Sequence, residues 1–298
     1  MNYLKNNPRK CITVAAYLAA AAICGPILHV SGVVMILTLA LLTLALIIIF
    51  LPATLAVAGN YLYATGSAER AVPILKKAID KNTPSPAAHV NYAIYLVRGG
   101  KGEDALYYLD KASKLKPDIM TQKNIELTKA SCFWTIGKVD DAVNILEAMR
   151  EKFEYVNAHV LTTLGYMHFL QGNLEKAEDI TRQAIEDSPE TGSAWDNLGQ
   201  ISFKRGDFES AKAHFEKAVE YKADLPDSHY YLGLLAEREN SLFEARDCYL
   251  RASSCNISAL NTVTRQQIDD RLRAIKEALD AQDAGEEAES PSDEEEPS

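Results

Sequence analysis

Two regimes of apolar patterning divide the chain. Residues 11–51 are almost wholly apolar and contain no Asp, Glu, Lys or Arg, whereas from Pro52 onward apolar residues recur at helical spacing among polar ones. At about 1.5 Å per residue, one helix over the whole apolar stretch would overrun a bilayer core of about 30 Å twofold, so the stretch is expected to fold back. Gly25-Pro26 and His29-Val30-Ser31-Gly32 are the breaker clusters inside it. They predict one span over 11–28 and a second over 33–51, a two-helix transmembrane hairpin preceded by a basic tail at 1–10.

Orientation follows from the cations. Lys5, Arg9 and Lys10 precede the first span, the turn carries no Lys or Arg, and Arg70, Lys76 and Lys77 follow the second. The positive-inside rule then puts both termini in the cytoplasm, and the expectation is a multi-pass protein of a bacterial cytoplasmic membrane, touching the lipid bilayer through residues 11–51. Other readings stay open. A basic start, an apolar run and Ala20-Ala21-Ala22 also fit a cleavable secretory signal, and Ala21-Ala22-Ile23-Cys24-Gly25 faintly resembles a lipoprotein box, with Ile23 too large for its place. Cleavage at either would leave the run near 33–51 as an ordinary anchor and send the rest outside. A membrane-buried re-entrant pair is the third alternative.

After the apolar stretch the chain resembles itself every 34 residues. Gly199, Ala211, Phe215 and Ala218 are answered by Gly233, Ala245, Tyr249 and Ala252, and one interval earlier by Gly165, Ala177, Thr181 and Ala184. A fixed period of this length means stacked small units, each able to bury its apolar face only against its neighbours. Six units follow, at 52–85, 86–119, 123–157, 158–191, 192–225 and 226–259, with Met120, Thr121 and Gln122 as an insertion before the third. Each is expected to be two antiparallel helices. The small residue at Gly199 or Gly233 lets the backbones cross closely, Phe215 and Trp195 fill the volume between layers, and Gly206 takes the turn conformation. Pro117 and Pro189 stop second helices.

The unit at 192–225, with Trp195, Leu198, Gly199, Gly206, Ala211, Phe215 and Ala218, resembles the tetratricopeptide repeat. That resemblance implies an all-α fold: a right-handed superhelical solenoid of about six helix pairs, whose concave wall is lined by the first helix of each unit. Thr264-Arg265-Gln266-Gln267 reads as a capping box before Ile268, Leu272, Ile275 and Leu279 at helical spacing, so a C-terminal capping helix is expected over 260–282. A partner-binding helix is the alternative for this segment. Residues 283–298 hold eight acids and no base, which predicts a disordered acidic tail. Ser292 before Asp293, Glu294 and Glu295 also resembles an acid-directed kinase site.

In that family, side chains at the second, fifth, ninth, twelfth and thirteenth places of a unit face the concave groove. The residues so placed are Asn60 and Tyr63, Arg98, Asn124, Ser131 and Trp134, His159, Thr162 and Tyr166, Asp196, Gln200 and Lys204, and Tyr230, Glu237 and Arg238. Phe169 and Phe203 stand at such places too and belong either to the groove or to the core. Rings interleaved with amides and hydroxyls suit a peptide ligand. The cations Arg98, Lys204 and Arg238 sit in noncorresponding settings, so the carboxylate clamp of chaperone-binding members is not expected.

The net charge of −10 owes much to the tail, and the body carries no general nucleic-acid footprint. Five scattered cysteines, Cys11, Cys24, Cys132, Cys248 and Cys255, form no zinc spacing and read as reduced thiols. No HExxH, GxxxxGK[ST] or GxSxG occurs, and His159 and His168 miss the spacing that puts two imidazoles on one helix face. No cofactor, metal, small-molecule substrate or catalytic residue is expected. The sequence therefore reads as a non-enzymatic, membrane-tethered scaffold or adaptor binding a protein or peptide segment, the alternative being a constitutive subunit of a larger membrane complex in envelope assembly or secretion.

Overall fold

The computed structural model describes residues 32–153 and 156–289. The basic tail, the expected span at 11–28 and the end of the acidic tail therefore lie outside the described residues. Those described form thirteen α-helices and no strand. They are α1 (Gly32–Ala64), α2 (Ala68–Asp80), α3 (Pro86–Arg98), α4 (Gly102–Lys114), α5 (Ile119–Thr135), α6 (Val139–Lys152) and α7 (Ala158–Leu170). Then come α8 (Leu174–Asp187), α9 (Gly192–Arg205), α10 (Phe208–Tyr221), α11 (Pro226–Arg238), α12 (Leu242–Ser254) and α13 (Arg265–Glu289). Two compact bodies result, one of residues up to Leu96 with Glu103–Thr128, the other of Val97–Gly102 with Lys129 onward.

One helix among the described residues, α1, is long and apolar enough to cross a membrane, with its candidate span at Ile36–Ala64. The expected first span at 11–28 lies outside the described residues, so one candidate span stands where a two-helix hairpin is expected, and the expected break between anchor and first repeat at 51/52 is absent. Helix α1 passes straight through Pro52. Proline forfeits one intrahelical bond but its fixed φ is helical, and no further breaker follows until Thr65-Gly66. Pro52 and Ala56 are buried, while Ile36, Leu41 and Ile48 higher on the same helix are exposed. The C-terminal end of α1 is thus also the first helix of repeat one, with Gly59 against Leu75 of α2.

Every repeat closes its helix pair in the same way. Gly66, Gly100, Gly137, Gly172, Gly206 and Asn240 all have positive φ, between 59° and 82°. Glycine takes this conformation without a Cβ penalty, and asparagine is the side chain that tolerates it best. After Gly66, Gly137, Gly172, Gly206 and Asn240 the next residue donates its N–H to the carbonyl five positions back, as from Asp207 to Ser202 (3.0 Å) and from Ser241 to Ala236 (2.9 Å), the bond of a Schellman cap.

Across each pair a small residue faces a larger one sixteen positions on. An added Cβ at Gly199 would stand 2.5 Å from the Phe215 ring, and one at Gly233 2.5 Å from the Tyr249 ring. Phe215, Tyr249, Leu75, Leu109 and Leu146 are fully buried at this place, each contributing about 1.5–3 kcal/mol of apolar burial. Trp195 departs from the expectation. It is half-buried and donates Nε1–H to Pro189 O (2.7 Å), with Lys217 Nζ 4.3 Å over its ring, because the turn ahead of α9 leaves that edge open. Repeat four differs, since Thr181 stands where repeats three and five carry Leu146 and Phe215, and its Oγ1 is buried without a hydrogen-bond partner.

Two boundaries differ from those expected. The three extra residues 120–122 lie in the first turn of α5, started by Asp118, whose carboxylate accepts from Thr121 N (2.7 Å). Helix α13 begins at Arg265, where Thr264 and Gln267 exchange capping-box bonds, and continues to Glu289. Ile268, Ile275 and Leu279 bury against Tyr249 and Ala252 of α12. Residues 256–264 ahead of it are not helical.

Two substitutions test this packing. Gly199→Ala should cost about 1–3 kcal/mol by overpacking against Phe215, read as a lower urea midpoint; an unchanged midpoint would contradict the seam. Thr181→Val keeps the shape and removes an unsatisfied hydroxyl, so it should raise stability by about 1–2 kcal/mol in the same assay.

Candidate functional site

The expected groove residues fall on both bodies. In the first, Asn60 accepts from Asn91 Nδ2 (2.9 Å) and donates to Ser85 Oγ (3.4 Å), so its amide ties α1 to α3 and its N-terminal turn. Tyr63 packs on the cluster of Ala56, Ala71 and Leu75, and Asn124 is exposed on α5. On the same body Tyr92 and Tyr108 meet edge to face at 4.9 Å, flanked by the exposed rings of Tyr95 and Tyr107.

The second body brings together a different set. Helices α7, α9 and α11, the first helices of repeats four to six, pack on one another in sequence. Their shared face carries Thr162 and Tyr166, then Asp196 and Gln200, then Asp227 and Ser228. Thr162 Oγ1 back-bonds to Ala158 O (2.7 Å), and its carbonyl accepts from Asn197 Nδ2 (2.8 Å), which locks α7 to α9. Asp196 accepts from Gln200 Nε2 (2.8 Å) and from the Ser228 hydroxyl. Asp227 accepts from Asn261 Nδ2 and from Val263 N, both at 2.7 Å.

The last two donors belong to the chain's own segment after α12. Thr262 Oγ1 lies 2.7 Å from the Tyr166 hydroxyl and donates to Gln200 Oε1 (3.1 Å). Since Thr262 spends its proton on Gln200, Tyr166 is the donor to Thr262. A directed chain of hydrogen bonds results, from Tyr166 through Thr262 and Gln200 to Asp196. Burial, and then the charge of Asp227, push the Asp196 carboxyl up to about 7. Burial likewise raises Asp227, against the pull of Asn261 and the Val263 N–H, and raises the Tyr166 phenol.

The remaining expected residues lie around this strip or away from it. Trp134 meets Tyr166 edge to face at 5.1 Å, and Ser131 is half-buried one turn earlier on α5. His159 is exposed at the start of α7. Lys204 Nζ stacks 4.9 Å over Phe169, and the Arg238 guanidinium lies 3.8 Å over Phe208. Arg98 has an exposed side chain, and its carbonyl accepts from Ala259 N (2.9 Å). Tyr230 and Glu237 lie away from the strip. Tyr230 is buried 5.5 Å from the Tyr249 ring, and Glu237 accepts from the Tyr249 hydroxyl and from Arg271 (3.3 Å), so both serve the seam between α11, α12 and α13. Phe169 and Phe203 join apolar clusters and belong to the core.

Sequence reasoning missed Asp227, Ser228 and the wall-facing segment. Asp227 occupies the second place of repeat six, so the counting that found Asp196 reaches it as well. Nothing local marks Asn261 and Thr262, whose partners lie 34 to 96 positions away. For chemistry, no group of three or more His, Cys, Asp or Glu among the described residues could hold a metal ion. Histidines are locally engaged, as His229 with Ala223 O (2.9 Å) and His168 with Gln171 (3.0 Å). Cys132, Cys248 and Cys255 are free thiols, and burial pushes Cys132 up to about 12.

Family profiles match along the chain, one described as tetratricopeptide repeat over residues 57–118 and 127–193 and one as TPR repeat over 199–238, together more than half of it. Human cilia- and flagella-associated protein 70 is 28% identical over 121 residues, covering 40% of this chain and 11% of that protein. The photosystem I assembly protein Ycf3 of Dioscorea elephantipes is 34% identical over 86 residues, 26% of this chain and 50% of that one. The chain thus spans half or less of the length of these two relatives. Among solved structures, the APC/C hetero-tetramer Cut9–Hcn1 superposes with a TM-score of 0.60 at 15% identity, covering 75% of this chain and 42% of that one, a likeness of fold alone.

The carboxylate pair yields a pH test. Asp196 and Asp227 titrate above the usual 3.8 when folded, so between about pH 4 and 7 the folded chain holds more protons than the unfolded one, and the pair's contribution falls as pH rises through that window. Asp196→Asn should therefore gain urea stability relative to the parent on going from about pH 5 to about pH 8. A constant difference between the two proteins would contradict this assignment.

Proposed function

Because the chain belongs to the tetratricopeptide-repeat family, we propose that it is a membrane-tethered scaffold that holds a segment of another protein on the polar wall of its repeats, at the cytoplasmic face. The observation that carries this reading is the grip of α7, α9 and α11 on a non-helical stretch of polypeptide through Tyr166, Gln200 and Asp227. A wall that binds side-chain amide, hydroxyl and backbone N–H donors is suited to peptides, whose backbone supplies the same groups. The exposed Tyr95 and Tyr107 give the first body a second aromatic surface of the kind interfaces favour.

Helix α1 is the proposed tether. Its exposed apolar flank at Ile36, Leu41 and Ile48 would face lipid, and Arg70, Lys76 and Lys77 just beyond it would keep the repeats on the cytoplasmic side. A return span over 11–28 would bring Lys5, Arg9 and Lys10 to that same side. Tethering raises the effective concentration of scaffold and membrane-bound partner without any new contact.

The filled wall also favours a second reading, a fixed subunit of a larger complex whose repeats never sample free ligands. Carbonate extraction, a C-terminal topology reporter and sizing in detergent decide among these. The scaffold reading expects membrane retention, a cytoplasmic reporter signal and a monomer or dimer that labels neighbouring proteins by proximity from its C terminus. Release by carbonate or an extracytoplasmic signal overturns the tether, and a stoichiometric large complex overturns the free scaffold in favour of the subunit.

A further inference from the structure

We propose that residues 257–262 are a resident ligand of the wall, displaced by an external uncharged segment that presents an Asn-Thr pair in the same way. The inference rests on the scaffold reading and names the ligand chemistry of its wall. From Asn256 to Thr264 the segment reads Asn-Ile-Ser-Ala-Leu-Asn-Thr-Val-Thr, without charge, glycine or proline. It forms no helix, yet it is held at both ends. Before it α12 ends at Cys255, and after it Val263 is buried with Ile268 and Tyr249 in the cluster that docks α13.

Between those ends the contacts are those of a bound peptide rather than of a tight turn alone. The Asn261 amide donates to Asp227 Oδ2, the Thr262 hydroxyl bridges Tyr166 and Gln200, and Ala259 N donates to Arg98 O. Asn261 Oδ1 in turn accepts from Ser258 N (2.9 Å), which shapes the segment for this fit. Asp227, Gln200 and the Arg98 carbonyl act as acceptors toward the segment, and the Tyr166 hydroxyl as the donor. When the segment leaves, Asp227 keeps the Val263 N–H but loses the Asn261 amide, and the Tyr166 to Asp196 hydrogen-bond chain loses its bridging hydroxyl.

A buried carboxylate short of donors is costly, so the wall is stable only when a donor-bearing segment fills it. The replacement must therefore bring a side-chain amide for Asp227 and, next to it, a hydroxyl that accepts from Tyr166 and donates to Gln200. An acidic segment would set like charge against Asp196 and Asp227. Val263 is the hinge: it remains in the α13 cluster while the residues before it open. Because the resident copy is tethered, its effective concentration is in the millimolar range, and an external copy competes poorly until the resident one is weakened.

The test uses the full chain in detergent micelles and a fluorescein-labelled peptide with the sequence of residues 256–262. The parent should bind it weakly, and the double variant Asn261→Ala, Thr262→Ala at least about tenfold more tightly, since its own copy no longer competes. Adding Tyr166→Phe to the double variant should reverse that gain. Equal affinity of parent and double variant overturns the proposal. Should the double variant fail to fold, amide hydrogen exchange on the unmodified protein decides: Ala259 exchanging faster than Val263 supports opening before the hinge, and equal rates mean that the segment leaves only with α13 and the proposal fails. If the peptide result is negative while proximity labelling still recovers a partner, the scaffold reading survives on another surface and only the resident-ligand assignment is lost.

Discussion

A left-handed residue at the end of each first helix is the constraint on which the rest of the structure depends. With φ between 59° and 82° at six equivalent places, the chain reverses within a few residues and the two helices of a repeat are brought side by side. Only then do the small residues at Gly59, Gly165, Gly199 and Gly233 lie opposite Leu75, Thr181, Phe215 and Tyr249. Only then do successive first helices in the second body present one continuous polar face. The substitution of Asn240 for glycine at the sixth turn fits the same rule, because its short side chain is the one most at ease in that region.

The repeat architecture is legible in the sequence because local causes produce it. Turn glycines, the alanines at Ala211 and Ala218, and the rings at Phe215 and Tyr249 act within one repeat or between neighbours, so their period is printed along the chain. What escapes is set by choices that local pattern does not record. Pro52 looks like a boundary, yet the helix absorbs it, since a proline costs a helix one bond and not its direction. Met120, Thr121 and Gln122 stand as an insertion before the third unit, and because Asp118 supplies an N-cap the residues join α5.

The wall was legible in part. Place-counting reaches Thr162, Tyr166, Asp196 and Gln200, all of which share the strip, and it reaches Tyr230 and Glu237, which do not. Repeat six differs because α12 is followed by α13 rather than by another helix pair. Arg271 and Tyr249 then draw Glu237 into the terminal seam, where a repeat-internal position becomes an interface position. The segment at 257–262 was invisible for a different reason: its partners are remote in sequence, and nothing in six uncharged residues announces a destination.

Filling the wall from within also resolves an apparent conflict in its design. Two carboxylates buried side by side oppose folding unless donors surround them, and the repeats themselves provide only Ser228 and Gln200, both of which serve Asp196. Asp227 depends on Asn261 and Val263, which come from outside the repeat array proper. Asp227 thus draws its donors from a segment outside the helix pairs, and on the proposed reading the same dependence would make the wall selective. Where a cation-rich groove would accept a terminal carboxylate, this one turns Lys204 and Arg238 onto the rings of Phe169 and Phe208. On the proposed reading, recognition by such a surface would depend on donors placed at fixed intervals, with specificity coming from the cost of leaving Asp227 and Gln200 unpaired rather than from net attraction.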